Sequence, residues 1–474
     1  MNQADGPPFP ATLAALNAKL PRLTAYLCAG LVERSTAARL ALLAALAGEH
    51  LLLIGPPGTA KSEIARRLHH VFRDAAYFER LLTRFSVPEE LFGPLSIAAL
   101  EEDRYERQTA GFLPQASIAF IDEVFKANSA ILNALLTLLN EREFDNGARR
   151  LVCPLISVIG ASNEVPQDEA LAAFHDRFLL RLSVEPVSDS GFRELLQLKN
   201  GSQRMLAEED KIGRNTLCDF IAAIDDVALP EAIVDLLTRL RAHLGAQQIR
   251  VSDRRWHKIV RLLKASALSN GRHSVTLWDV WLTQFCATEN PAQAGIVADW
   301  YARTVGTAGS TRPERFTRVV EAFEAQFDIE RDSNDLNYGE DGTLTLDERA
   351  SEAKSTSMMP RLSSFLRSRR YGATHIAARV AQVQAVIAEV DAFLARLDAL
   401  EHELQHEVSH HLWIAPEFVP QAMHHLVACR SEILALQQRL QGVCAGFAAL
   451  PRLEKDDSRV PEPLATAMEA DASA

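Results

Sequence analysis

Lys61 and Ser62 close the run Leu51-Leu52-Leu53-Ile54-Gly55-Pro56-Pro57-Gly58-Thr59-Ala60, and a lysine and a serine so placed could grip a chain of phosphates. Four apolar residues make a strand, the Gly/Pro turn makes a loop whose amides point inward, and the helix behind it offers a positive amino end. In that arrangement Gly55, Pro56, Pro57, Gly58, Thr59 and Ala60 form the wall, Lys61 reaches the outer phosphates and the Ser62 hydroxyl takes a Mg²⁺ position. The usual pattern has glycine where Ala60 stands, a departure of one methyl group. An ordinary strand-to-helix turn is the alternative reading of this stretch taken alone.

Some sixty residues on, Ile118-Ala119-Phe120-Ile121 runs into Asp122 and Glu123. An apolar strand ending in two carboxylates puts them at the carboxyl edge of a buried sheet, where doubly wound sheets bind ligands. Asp122 would hold Mg²⁺ through water, and Glu123 would polarise an attacking water. A further apolar run, Ile156–Ala161, delivers Asn163, whose amide either bonds the terminal phosphate or its water, or caps the next turn. Arg177, in Phe174-His175-Asp176-Arg177-Phe178, is either an ion-paired surface residue or a guanidinium offered to a neighbour's nucleotide. Ser252-Asp253-Arg254-Arg255 opens a helix, and arginine in a first turn opposes the helix dipole, which hints at an anion.

The elements that must position these residues alternate. Strand candidates are His50–Ile54, Tyr77–Leu82, Ile118–Ile121, Leu155–Ile159 and Leu179–Leu182, with helix candidates such as Lys61–Phe72 and Ser129–Asn140 between them. Such alternation implies a parallel sheet between helices, an α/β core over residues 1–190. Two excursions interrupt it: Tyr105–Phe112, a loop or hairpin, and Phe144–Val152, where Asn146-Gly147 is a two-residue hairpin signal. Residues 191–300 read as an all-α lid. Residues 301–360 read as a connecting segment whose acidic part, 328–359, is a flexible linker. Residues 361–450 carry two long helices, Ile376–His411 and Pro420–Leu440, with apolar residues at three- and four-residue spacing (Val390, Phe393, Leu397, Leu400, Leu404, Val408), an antiparallel hairpin. Residues 451–474 read as a disordered tail.

Five chemistry-bearing elements in this order resemble an AAA+ ATPase. The wording GPPGTAKS, TRFSVPEELFGPLS, RYERQTAGFLP, FIDEVFKANSAILNALLTLLNERE and VSDRRWHKIVRLLKASAL is similar to the RavA branch of the MoxR family, in which alanine commonly precedes the lysine. The resemblance covers about residues 20–290. It implies ATP or ADP with Mg²⁺ as cofactors, Lys61 and Ser62 as Walker A, Asp122 and Glu123 as Walker B, Asn163 as sensor 1, Arg177 as an arginine finger acting in trans and Arg254 as the sensor 2 arginine. The Tyr105 excursion and the Asn146-Gly147 hairpin would be inserts facing the pore of a ring. The family implies a homo-oligomer, a hexameric ring, that remodels or activates a protein substrate in chaperone fashion with a von Willebrand A-domain protein as adaptor. The small β-barrel that RavA proteins insert finds no run of alternating strands in 300–375.

Composition limits the alternatives. Across 474 residues, 62 acids against 50 bases give a formal charge of −12, which argues against a surface that grips nucleic acid throughout. A DNA-acting ring motor and a nucleotide-gated scaffold stay open as other readings. No apolar run is long enough to span a bilayer and no charged-then-apolar leader is visible, so the expectation is a cytoplasmic chain with no membrane span. Six scattered cysteines without a C-x-x-C pair read as reduced. His402-Glu403-Leu404-Gln405-His406, with His410, fits a zinc-protease spacing. It lies opposite the apolar seam of the 361–450 hairpin, as a solvated stripe would. Arg361, Arg367, Arg369 and Arg370 make a basic knot that either touches nucleic acid or acidic lipid or, the favoured reading, neutralises the acidic linker before it.

Overall fold

The computed structural model describes residues 9–166, 169–198, 206–288, 290–306, 313–333, 337–338, 344–345, 370–415, 418–453 and 460–461. Seven strands lie in the first part: β1 (Leu51–Ile54), β2 (Tyr77–Leu81), β3 (Ile118–Asp122), β4 (Glu143–Asn146), β5 (Arg149–Val152), β6 (Ser157–Ser162) and β7 (Leu180–Ser183). Five of them form a parallel sheet in the order β2-β3-β6-β1-β7, with Leu51 level with both Ile159 and Leu180. Every residue of β1 and β6 is buried, as befits strands covered on both faces. Because all five strands run the same way, every strand's carboxyl end lies along one edge.

The covering helices are α1 (Ala11–Cys28), α2 (Ser35–Ala47), α3 (Lys61–Val71), α4 (Pro88–Phe92), α5 (Ile97–Leu100), α6 (Ser129–Glu141) and α7 (Glu169–His175). Helix α2, of alanine and leucine almost throughout, is buried all round and stops at Gly48, whose φ of 70° suits a left-handed C-cap. The all-α part expected after residue 190 contains α8 (Asp189–Gln197), α9 (Arg214–Ala223), α10 (Glu231–Ala246), α11 (Asp253–Ser269), a 3-10 helix over Leu277–Phe285 and α12 (Ala294–Gly306). Then follow α13 (Pro313–Asp332), a pair of two-residue antiparallel strands at Asn337–Tyr338 and Leu344–Thr345, α14 (Ala373–His410) and α15 (Phe418–Ala448).

Several expectations shift. The strand expected at Leu155–Ile159 begins at Ser157 and runs to Ser162. Its two serines are hidden because their hydroxyls donate to backbone carbonyls, Ser157 Oγ to Glu49 O and Ser162 Oγ to Glu164 O, each over 2.7 Å. The β4–β5 turn is Gly147-Ala148, one residue later than Asn146-Gly147, with Asn146 paired to Arg149. Gly147 at φ 64° takes the first turn position. Asn146 instead docks the first excursion: its Oδ1 accepts from Arg107 N over 2.6 Å and its Nδ2 donates to Arg107 O over 3.1 Å. A Cβ on Gly147 would sit 1.8 Å from Tyr105 O. The two inserts are thus one assembly, and the Tyr105–Phe112 excursion pairs only through an isolated bridge of Arg107 to Leu95. The linker expected from Asp328 starts later, since α13 continues to Asp332. Most of the acidic linker and basic knot, and most of 451–474, lie outside the described residues.

The chain divides into two compact units. One comprises Met1–Ala302 with His406–Val419, the other Arg303–Gln405 with Pro420–Ala474. The hairpin expected over 361–450 is therefore shared, because its tip clusters with the first unit. There Trp413 is fully buried, its indole donating to Ser269 Oγ over 2.8 Å, while Arg39 on α2 donates to Leu412 O over 2.6 Å. In the second unit, Val390, Phe393, Leu397 and Leu404 of α14 are buried and His402 and Glu403 are exposed. No helix among the described residues is long and apolar enough to cross a membrane.

Candidate functional site

The loop between β1 and α3 is held in an unusual backbone. Gly55 accommodates a close approach, since a Cβ there would meet Val184 O at 2.1 Å. Gly58 lies at φ 80° and Ala60, immediately before the helix, at φ 64°. The loop is pinned from outside by the buried Arg34, which sequence reasoning missed. Its Nε donates to Thr59 O over 3.0 Å and its Nη2 to Glu185 O over 2.6 Å. Thr59 Oγ1 closes the turn on Pro56 O over 2.9 Å. Helix α3 then starts at Lys61 with its first amides facing the loop, a preformed anion cradle.

Lys61 is 6% exposed, and its ammonium donates to Gly55 O over 2.5 Å and Pro56 O over 2.8 Å. Burial lowers its pKa, and the carboxylates of Asp122 and Glu123 oppose that shift. A buried cation solvated only by loop carbonyls, with helix amides beside it, fits a polyphosphate. Ser62, on the next residue of the helix, and Asp122, at the end of β3, are the groups that could hold a divalent cation.

Glu123 follows Asp122 in a left-handed conformation, φ 51°, and Asp122 Oδ1 accepts from its amide over 2.9 Å. That twist turns the Glu123 carboxylate toward β6. Asn163, one residue past β6, donates its Nδ2 to Glu123 Oε1 over 2.5 Å, and Lys126 lies 3.1 Å from the same oxygen. Lys126 was not anticipated, although its i+3 spacing from Glu123 is legible once a turn is expected there. Beyond these groups opens a cavity of about 850 Å³ lined by Arg84, Lys126, Asn128, Leu132, Val165 and Phe174. Lys61, Asp122, Glu123 and Asn163 thus share the carboxyl edge of the sheet.

Arg177 and Arg254 do not join them. Arg177 precedes β7, whose first residue is level with the first residue of β1, so it belongs to the amino edge, a strand's length from the loop; four residues span roughly 13 Å. Its Nε is buried with no hydrogen-bond partner among the described residues. Burial lowers its pKa and the positive charge of Arg254 lowers it further, while Asp176 opposes. Arg254 donates to Asn140 Oδ1 over 3.0 Å, near the end of α6. Its neighbour Arg255 points inward, donating to Asp176 Oδ1 (3.1 Å), Leu179 O (2.6 Å) and Cys286 O (2.5 Å). Arg255 is buried and structural, whereas Arg254 is exposed.

Residues 18–221 match the family model described as the MoxR domain in the MoxR-vWA-beta-propeller ternary systems, and residues 232–301 match an AAA lid domain. Two uncharacterized proteins of Methanocaldococcus jannaschii are 43% and 41% identical over 248 and 265 residues, covering 51% and 55% of this chain. The chain spans about two thirds of their length, 64% and 68%. Protein MoxR of Paracoccus denitrificans is 27% identical over 270 residues, 51% of this chain and 79% of its own. With its parallel five-stranded core, its helical lid and these matches, the chain belongs to the MoxR family of AAA+ ATPases.

Proposed function

We propose that the chain hydrolyses ATP with Mg²⁺ as one subunit of a RavA-type ring, a hexamer, in which each nucleotide is shared by two copies. The observation that carries this reading is the separation of Lys61, Asp122, Glu123 and Asn163 at one sheet edge from Arg177 and Arg254 at the other. Two adjacent guanidinium groups, one with a buried unpartnered Nε, have no phosphate of their own chain within reach. A neighbour's nucleotide would supply it.

On this reading Lys61 leaves the loop carbonyls for the outer phosphates. Ser62 and Asp122 would hold Mg²⁺, whose charge when bound neutralises those phosphates. Glu123 orients and polarises the attacking water, with Asn163 fixing the carboxylate from the β6 side. Arg177 and Arg254 of the adjacent copy stabilise charge developing on the transferred group. The vWA component in the description of the matching family supports work on protein partners, and on this reading a von Willebrand A-domain protein is the adaptor.

The test is complementation between two inactive chains. Glu123→Gln and Arg177→Ala are each expected to bind ATP and to turn it over slower by about 10³ or more. Mixed before assembly, they regain turnover, because some sites then combine an intact Glu123 with a neighbour's intact Arg177. A mixture as inactive as its components defeats the shared site.

A further inference from the structure

A second cavity, of about 660 Å³, opens at the amino edge of the sheet, where β2, β3 and β6 begin and α9 passes over them. Its floor is apolar, made by Phe72, Leu155, Ile212, Leu217 and Ile221. Its charged lining is one-sided: Arg73, Arg142, Arg214 and Arg261 against the single carboxylate of Asp74. The sheet separates it from the phosphate loop, so it is not part of the nucleotide cleft.

The arginines are poorly neutralised. Arg142, in a left-handed conformation after α6, bonds only neutral groups: Gly48 O over 2.8 Å, Ile156 O over 3.3 Å and the ring of His50 at 3.0 Å. Burial pushes its pKa down to about 10, opposed chiefly by Glu49. The Glu49 carboxylate itself is taken by Lys258 at 2.7 Å. Arg261 donates to the carbonyls of Ala47 (3.3 Å) and Ile221 (3.5 Å), and its counter-charge among the described residues is the exposed Asp225 at 3.7 Å; Arg214 makes no hydrogen bond or ion pair among the described residues. Arg142 and Arg261 are half-buried and Arg214 is exposed; half-buried cations short of counter-charge at the wall of an apolar pocket favour an anion carried on an apolar body. The volume lies within the usual range for small-ligand sites, roughly 300–1,000 Å³.

We propose that this cavity binds a small amphipathic anion, its apolar body on the Phe72–Ile221 floor and its carboxylate, sulfonate or phosphate among Arg142, Arg214 and Arg261. Such a ligand would join α9 to the amino edge of the sheet. The assignment does not depend on ATP turnover.

The experiment titrates the full chain, with ADP and Mg²⁺ present, using 1-anilinonaphthalene-8-sulfonate and its uncharged parent, N-phenyl-1-naphthylamine. Saturable binding of the sulfonate at a single site is expected, with the uncharged probe weaker by roughly tenfold. Arg214→Glu, at an exposed position, should weaken the sulfonate by about tenfold and leave the uncharged probe alone. Cys218→Trp should fill the cavity and exclude both, and bound sulfonate should slow alkylation of the exposed Cys218 by N-ethylmaleimide. Competition by decanoate against decyl phosphate then identifies the head group. Binding indifferent to the probe's charge, or unchanged by Arg214→Glu, overturns the proposal even if Cys218→Trp fails to fold, as does the failure of both competitors.

Discussion

The Asn163 amide donates to Glu123 Oε1 over 2.5 Å, joining the residue just past β6 to the one just past β3. A carboxylate held there keeps one oxygen engaged and the other directed. Asn163→Ala is therefore expected to lower turnover by about 10²-fold while leaving ATP affinity within a few-fold. Asn163→Asp, which sets two carboxylates side by side, should be at least as damaging. Steady-state kinetics beside equilibrium nucleotide binding checks both. A loss confined to KM would remove the positioning role.

Arg254 and Arg255 are adjacent in sequence and opposite in environment, the first exposed and the second buried. Arg255→Ala strips Asp176 and three backbone carbonyls of their donor, and is expected to cost about 3–5 kcal/mol of stability. Arg255→Lys should recover little of it, because an ammonium cannot span that fork of acceptors. Arg254→Ala should change stability by no more than about 0.5 kcal/mol and still lose most turnover. Chemical denaturation of the three variants beside their ATPase rates separates the two residues. Equal stability losses at both positions would mean that Arg254 is also structural.

The residues at the carboxyl edge were legible because each follows directly on a strand: Lys61 after Leu51–Ile54 and its loop, Asp122 and Glu123 on Ile118–Ile121, Asn163 on the next buried run. Periodicity and local turn chemistry are enough to find such positions. Arg34, Lys258 and Arg142 were not legible, because their partners lie far along the chain and no local pattern records them. The serines of β6 blurred its start, since burial of a hydroxyl depends on a carbonyl that only the fold supplies. Asn146 reads locally as a turn former, and its docking on Arg107 across 39 residues belongs to the same long-range class. The hairpin tip was hidden for a similar reason. Helical spacing foretold α14 and α15, but not that Trp413 would be buried against Ser269.

Ala60 holds φ 64° at the start of α3, a conformation that costs a residue with a Cβ about 1–2 kcal/mol. Ala60→Gly removes that strain and adds some freedom to the unfolded chain, so a net gain of roughly 0.5–1 kcal/mol is expected. Nucleotide affinity should be preserved, because Lys61 and the helix amides are unchanged. Thermal denaturation without nucleotide reads the effect. A lower melting temperature for the glycine variant would mean that the alanine methyl contributes packing that outweighs its backbone strain.

His175 supplies an acid-sensitive element of the core. It is 7% exposed and its Nε2 has no hydrogen-bond partner among the described residues. Burial, reinforced by the charges of Arg181 and Arg255, pushes its pKa down to about 3, against about 6.5 for the unfolded chain. Between those values the unfolded state binds a proton that the folded state refuses, so stability falls as pH falls. The contribution is fully present above about pH 6.5 and is lost progressively toward pH 3, on the order of 5 kcal/mol across the window. His50, whose pKa burial also lowers, adds in the same direction. Denaturation midpoints taken from about pH 7.5 down to about pH 4.5 should decline steadily, and His175→Gln, neutral throughout, should flatten the decline. A variant with the parent's slope would show that His175 is already protonated in the folded core, with Arg181 and Arg255 turned away from it.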